Sequence, residues 1–283
     1  ALKGLGKDVR TFFPEKLPRI YSSLPGADCI EVVTSLPNDV PEVIIATDNA
    51  TFMRFGEIFV RELNRLGIYP SYDDRHNPAK ATIINIDHHS TNELYGDINL
   101  IAPYFSAVGE MVLDVIKGLG CGVSKEIATC LLTAIVTDTG RFSYSNTNLR
   151  TLESSAELVR AGASLFAIAD TVFSSLSQNE LKLLGEVLTR LVVDPKLGFC
   201  YSFVEWELLE KYQVELTDSE WIMDVIKMLK EPRVYVLFKE LSKGVIRVSV
   251  RSRNEFNCVL LAEKFGGGGH HAAAGYTFNG TLV

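Results

Sequence analysis

Positive charge is in short supply: 28 Lys and Arg stand against 35 Asp and Glu, a formal net charge of −7. Sequence-independent affinity for long nucleic-acid duplexes needs basic side chains spread over a wide face, so that class of partner is excluded. A short anionic substrate held in a local pocket is not. Cysteine is sparse as well. Cys29, Cys121, Cys130, Cys200 and Cys258 are odd in number and lack metal-ligand spacing, so they read as reduced thiols in a cytoplasmic protein. No apolar run reaches the roughly 18 residues that cross a bilayer. No basic-then-apolar leader opens the chain, and neither a membrane nor export is expected. Internal repeats and low-complexity tracts are missing too.

What is present fits a folded chain of two domains: 283 residues, 47% hydrophobic and 22% charged. The first half alternates short apolar runs with amphipathic stretches, the pattern of a parallel sheet wrapped by helices. Strands are expected at Asp8 to Phe13, Glu42 to Thr47 and Ala81 to Ile86, and helices at Gly56 to Leu66, Ala107 to Ile116 and Lys125 to Thr137 with Ser124 as N-cap. From Asn148 to Leu191 the pattern is helical, and Gln178 to Arg190 reads as a connector. Beyond it come strands at Gly198 to Val204, Arg233 to Glu240 and Val245 to Arg251, the last two forming a hairpin across Ser242-Lys243-Gly244, with helices near Asp218 to Lys230 and Asn257 to Phe265. The fold class is α/β: a parallel-sheet N-terminal domain with flanking helices over 1–176, a connecting helix over 177–191, a smaller mixed α/β domain over 192–283, and a cleft between the two domains.

Histidine marks the chemistry. Of five in the chain, four form two adjacent pairs, His88-His89 and His270-His271; the fifth is His76. The run VIIAT delivers Asp48 and TIINI delivers Asp87-His88-His89, both just past a strand's carboxyl end, where open parallel sheets bind ligands. A third apolar run, LLTAIVT, leads to Asp138 from a helix terminus. Imidazole and carboxylate together suit manganese, iron or zinc, and carboxylates sharing a site need a cation to offset their repulsion. The second cluster runs Gly266-Gly267-Gly268-Gly269-His270 with Ala273-Ala274-Gly275 behind it; without side chains, its backbone N–H groups can approach a phosphate. Arg251-Ser252-Arg253 closes a strand and adds guanidinium and hydroxyl donors, one arginine being expected to face the ligand and the other to be solvated surface. Alone, Asp48 is a cap residue and Asp138-Thr139-Gly140 a plain turn; His76 and His271 are assigned no catalytic role.

The ordered set Ile84-Asn85-Ile86-Asp87-His88-His89, Asp138-Thr139-Gly140-Arg141-Phe142 and Gly267-Gly268-Gly269-His270 with Ala273-Ala274-Gly275 resembles the successive motifs of the DHH phosphoesterases and their C-terminal associated domain. Within that family the chain is most similar to the compact bacterial nanoRNase and pAp-phosphatase group, as Tyr144-Ser145-Asn146-Thr147 and Val248 to Ser252 also indicate. The resemblance implies manganese-dependent hydrolysis of short oligoribonucleotides or of 3′-phosphoadenosine 5′-phosphate by two-metal-activated water, with magnesium or another divalent ion as a substitute. Partners would be short single-stranded oligonucleotides or small nucleotides, and a homodimer is compatible with it. It makes Asp48 the bridging ligand, His88 and Asp138 further ligands, Asp87 the group that orients His88, and His89 the contact to the scissile phosphate. Arg251, Ser252, Gly267, Gly268, Gly269 and His270 would grip the substrate's terminal nucleotide. The family's first motif, a His and two Asp, has no counterpart here and is expected upstream of Ala1; were it truly lost, the chain would bind nucleotides without cutting them. Cyclic or linear dinucleotides are the alternative substrates.

Overall fold

The computed structural model describes residues 1–73, 81–173, 176–215, 221–253 and 256–282. These form two compact units, Ala1–Ser174 and Ser175–Val283. His76 and the expected helix start at Asp218 lie outside the described residues.

The first unit opens with a short parallel pair, β1 (Thr11–Phe13) on β2 (Ile30–Val32). Its main sheet is parallel, in the order β3 (Val43–Thr47), β4 (Thr82–Asp87), β5 (Ile98–Ile101). Helix α1 (Glu57–Arg65) connects β3 to β4 and lays Phe59, Val60 and Leu63 against Ala46 and Ile83. On the opposite face Ile86 meets Phe105, Val108 and Met111, the last two from α2 (Val108–Gly118). A helical core follows, built by α2, α3 (Lys125–Asp138), α4 (Leu149–Arg160) and α5 (Leu165–Phe173), with Leu113, Leu132, Ile135, Leu158 and Ile168 buried. Ser124 caps α3 as expected, its side chain accepting from the Ile127 N–H.

Strands β2 and β5 escape the sequence reading because three or four residues are too few to display an alternation. The turn into β5 depends on Gly96, where a Cβ would stand 2.8 Å from the Ile98 carbonyl oxygen and 3.0 Å from that of Ile83. Both obstacles are backbone and cannot step aside. Gly96→Ala is therefore expected to destabilise the protein by about 3 kcal/mol, the upper end of overpacking costs, read as a lower urea midpoint at unchanged slope.

The second unit contains α6 (Gln178–Thr189), β6 (Val192–Asp194), β7 (Phe199–Val204), α7 (Trp206–Tyr212), α8 (Trp221–Ile226), β8 (Val234–Ser242), β9 (Val245–Ser252), α9 (Cys258–Glu263), β10 (Gly268–His270) and β11 (Ala273–Asn279). Its sheet runs β10-β11-β9-β8-β7-β6, with β7 and β8 parallel and the other neighbours antiparallel. The helix read as a connector buries Leu183 and Val187 in this unit's core, beside Cys200, Val204, Tyr235 and Leu237. The β8–β9 hairpin turns where the sequence places it, through Gly244 at φ 83°. The glycine run does not form an open loop. Gly268 to His270 pair with Ala273 to Gly275 as an edge strand. A Cβ on Gly267 would lie 2.2 Å from the Gly275 carbonyl oxygen, and one on Gly269 2.4 Å from that of Ala273. Close strand packing thus accounts for two of the glycines. Among the described residues no helix is long and apolar enough to cross a membrane.

Candidate metal centre

The first unit gathers the sequence-marked acids and imidazoles at the carboxyl edge of its parallel sheet. Asp48 follows β3 in the left-handed region at φ 57°, a conformation Asp tolerates better than most side chains. Its N–H still bonds the Ile86 carbonyl at 3.0 Å, which fixes the turn against β4. Asp87 is the last residue of β4 and fully buried, with His88 and His89 directly after it. Asp138 ends α3, the negative end of a helix dipole and the wrong end for a carboxylate unless a cation offsets it.

His88 Nε2 lies 3.5 Å from Asp48 Oδ1 and 3.7 Å from Asp138 Oδ2. One ligand atom from each of the three falls within 4.8 Å of the others. The tautomer follows from the far side of the ring, where Nδ1 stands 3.1 Å from the Phe105 carbonyl oxygen. A carbonyl can only accept, so Nδ1 carries a proton and Nε2 is the ring atom turned toward the two carboxylates, where the Nδ1-protonated tautomer presents its lone pair. Three electron-rich atoms converging in this way need a positive charge among them, and nitrogen-plus-oxygen donors suit a divalent transition ion. The site fits a metal on the chemistry of its donors. His88 is buried while about half of the Asp48 side chain is exposed, leaving one side open to solvent.

The resemblance assigns Asp87 the orienting of His88, and here the structure differs. Asp87 Oδ1 accepts from His89 Nδ1 at 2.7 Å and from the His88 backbone N–H at 2.9 Å, and Oδ2 accepts from Asn92 Nδ2 at 2.6 Å. The ring that Asp87 holds is that of His89, which lies two residues past it just beyond the end of β4. The His88 ring is held by Phe105 instead.

Electrostatics separate the carboxyl groups. Burial pushes the Asp138 carboxyl up to about 6, reinforced by the Asp48 carboxylate and opposed by His88 and His89. Burial also works to raise Asp87, but the hydrogen bonds from His89, Asn92 and the His88 N–H outweigh it and hold the group at about 2. After Asp138 the chain turns through three successive left-handed residues, Gly140, Arg141 and Phe142, at φ 52°, 61° and 63°. Two bonds brace that turn: Phe142 N–H donates to Thr139 Oγ1 at 3.1 Å, and Asn146 Nδ2 to the Asp138 carbonyl at 3.1 Å. Asp138-Thr139-Gly140 is therefore more than a plain turn.

In the second unit Arg251, Ala273 and His270 form one cross-strand row over β9, β11 and β10, so the first and last share a face of the sheet. Arg251 Nη1 donates to the Val250 carbonyl at 3.0 Å, and buried Ser252 spends its hydroxyl proton on the Phe256 carbonyl at 2.6 Å. Arg253 is not plain solvated surface: Nε donates to Tyr235 Oη at 2.7 Å and Nη2 to the Leu229 carbonyl at 2.9 Å. Residues two apart on a strand share a face, so the two arginines do not part as the sequence reading expects. That reading also passes over Phe105 and Asn92. The first acts through its backbone and leaves no signal; the second is a single Asn five residues past Asp87.

Comparison with known proteins follows the same division. Residues 198–281 match the family described as the DHHA1 domain. The chain is 36% identical over 281 residues to the bifunctional oligoribonuclease and PAP phosphatase NrnA of Thermus thermophilus, taking in 99% of this chain and 78% of that protein. The protein of the same name from Bacillus subtilis is 29% identical over 208 residues, covering 72% of this chain and 64% of its own length. An exopolyphosphatase-related protein from Bacteroides fragilis superposes with a TM-score of 0.83 at 26% identity, over 99% of this chain and 81% of that one. The chain belongs to the DHH phosphoesterases, in their NrnA-like group with a C-terminal DHHA1 domain.

Proposed function

We propose that this protein is a manganese-dependent phosphoesterase that cleaves oligoribonucleotides a few residues long and removes phosphate from 3′-phosphoadenosine 5′-phosphate. The observation that carries the reading is the convergence of His88 Nε2 with Asp48 and Asp138, 3.5 and 3.7 Å away. Relatives at 36% and 29% identity whose names state both activities support it. Asp48, His88 and Asp138 would hold a divalent ion, which supplies a Lewis acid for the scissile phosphate and its attacking water. The chain's own part is orientation: Phe105 fixes the tautomer of His88, and Asp87 aims His89 for contact with the phosphoryl oxygens. We assign the metal centre to 1–176 and the anion seat to 192–283, with Arg251, Gly267, Gly268, Gly269 and His270 receiving the phosphate of the substrate's end and Ser252, its proton committed to Phe256, left to accept from a sugar hydroxyl. The Arg251–Ala273–His270 row offers one guanidinium and one imidazole on a common face for that purpose.

As the family resemblance implies, turnover should fall steeply beyond a few nucleotides. The test is product release with and without Mn²⁺ from oligoribonucleotides of graded length, from 3′-phosphoadenosine 5′-phosphate and from a cyclic dinucleotide. Metal-stimulated turnover of the shortest oligomers and the bisphosphate is the expected outcome. Dominant turnover of the cyclic compound would move the substrate assignment, and tight nucleotide binding without metal-stimulated product would replace the enzyme reading with a nucleotide-binding one.

A further inference from the structure

Asn92 occupies a position that no motif marks, yet each side of its amide is used. Nδ2 donates to Asp87 Oδ2 at 2.6 Å and to the Asn49 carbonyl at 3.3 Å. Oδ1 accepts from Asn85 Nδ2 at 3.1 Å and from the Leu94 N–H at 2.8 Å. A primary amide offers two hydrogens and two lone pairs, and here all four have partners. The orientation is unambiguous. Turned over, the amide would set its oxygen against a carboxylate and a carbonyl, and its nitrogen against two donors.

These partners sit on three segments that the site needs in register. Asn49 is the neighbour of Asp48 on the left-handed turn after β3, Asp87 closes β4 and carries the His89 ring, and Asn85 is a fully buried strand residue beneath them. One side chain thus ties the Asp48 turn to the Asp87–His89 pair. We propose that Asn92 is a positioning residue: its donor side sets the spacing between Asp48 and the two histidines and holds Asp87 in the orientation that aims His89. This rests on the metal reading given above. Asn92 would touch neither ion nor substrate, so its effect should fall on metal affinity and kcat and leave KM nearly unchanged.

The two halves of the amide can be tested apart. Asn92→Asp keeps an acceptor for Asn85 and Leu94 but replaces the donor side with a carboxylate oxygen facing Asp87; Asn92→Ala removes both halves. Mn²⁺ binding is measured by calorimetry at pH 8 on the metal-free protein, beside thermal unfolding. Both variants are expected to bind Mn²⁺ about 10- to 100-fold more weakly than wild type, the scale for groups that hold metal ligands in place. Asn92→Asp sets a second carboxylate against Asp87 and should unfold below wild type, so the Mn²⁺ titration is run at a temperature where its unfolding curve shows it folded. Wild-type Mn²⁺ affinity in Asn92→Asp would overturn the proposal, because the acceptor side alone would then suffice. A second measurement does not depend on the variants folding. The histidine ¹⁵N spectrum of the metal-free wild type should show His89 protonated at Nδ1, and the Nε2-protonated tautomer would equally overturn it. If the wild type takes up no Mn²⁺, the metal reading fails, while the spectrum still decides whether the Asn92–Asp87–His89 chain is set as described.

Discussion

Replacing His88 with alanine is expected to lower kcat by about 10³-fold or more while leaving the protein folded. The imidazole supplies the one nitrogen donor of the Asp48–His88–Asp138 group. Without it two carboxylates are left to share a cation unaided, and removal of a single electrostatic partner of a phosphoryl or acyl transition state already costs about 10²- to 10³-fold. The fold loses little by comparison. The ring's hydrogen bond to the Phe105 carbonyl is worth about 1 kcal/mol net. Kinetics and unfolding should therefore separate cleanly, and an unfolding midpoint near that of wild type guards against reading misfolding as lost chemistry. Mn²⁺ affinity should fall together with kcat, whereas KM at saturating metal should change far less, since the substrate's end is assigned to the Arg251–His270 row. A kcat within about threefold of wild type would remove His88 from the site.

Asp138→Asn should have effects of opposite sign with and without metal. In the metal-free protein Asp138 is held at about 6 against an ordinary value of 3.8. A carboxyl raised on folding binds its proton more tightly in the native state, so the stabilisation is present below pH 3.8 and is lost as pH rises through 6. Above pH 6 the wild type thus carries an unfavourable charge that the asparagine variant lacks. A shift of this size corresponds to about 3 kcal/mol at most. With 37% of the side chain exposed to water, about 1 kcal/mol is the realistic figure. At pH 8 the metal-free variant should melt about 2–4 °C above wild type, and at pH 4 the two should nearly coincide. Added Mn²⁺ should reverse the order, because binding to the native state alone stabilises it by mass action and the variant would lack one of the three proposed donors. Asp87 has the opposite dependence: held at about 2, it contributes stability above pH 3.8 that is lost only as pH falls toward 2. A metal-free Asp138→Asn protein no more stable than wild type at pH 8 would show that burial and the Asp48 carboxylate do not raise Asp138 as described.

Much of the architecture is legible in the sequence. VIIAT and TIINI are apolar runs ending in polar groups, and that pattern identifies β3, β4 and the sheet edge where Asp48 and the Asp-His-His triplet emerge. The helical stretch at Lys125 to Thr137 leads Asp138 to the same place, although nothing in residue spacing says that a helix end and two strand ends will meet. Elements too short to show periodicity stay hidden, as β2, β5 and β6 do. Glycine-rich composition conceals β10, where packing against β11 uses the missing side chains that the sequence reading reserves for a phosphate. Backbone contributions are illegible for another reason. The carbonyl of Phe105 fixes the His88 tautomer, and any residue in that place offers the same group. The pairing of Asp87 with His89 is set by the backbone just past the end of β4, which residue types do not reveal, and it differs from the Asp87–His88 pairing that the resemblance implies.

The left-handed backbone at Asp48 bears on engineering. Glycine is the residue such a turn accommodates most readily, so a library screened for heat resistance alone would drift toward glycine there and discard the carboxylate. Redesign of this chain for robustness has to hold position 48 fixed and look for its gains elsewhere.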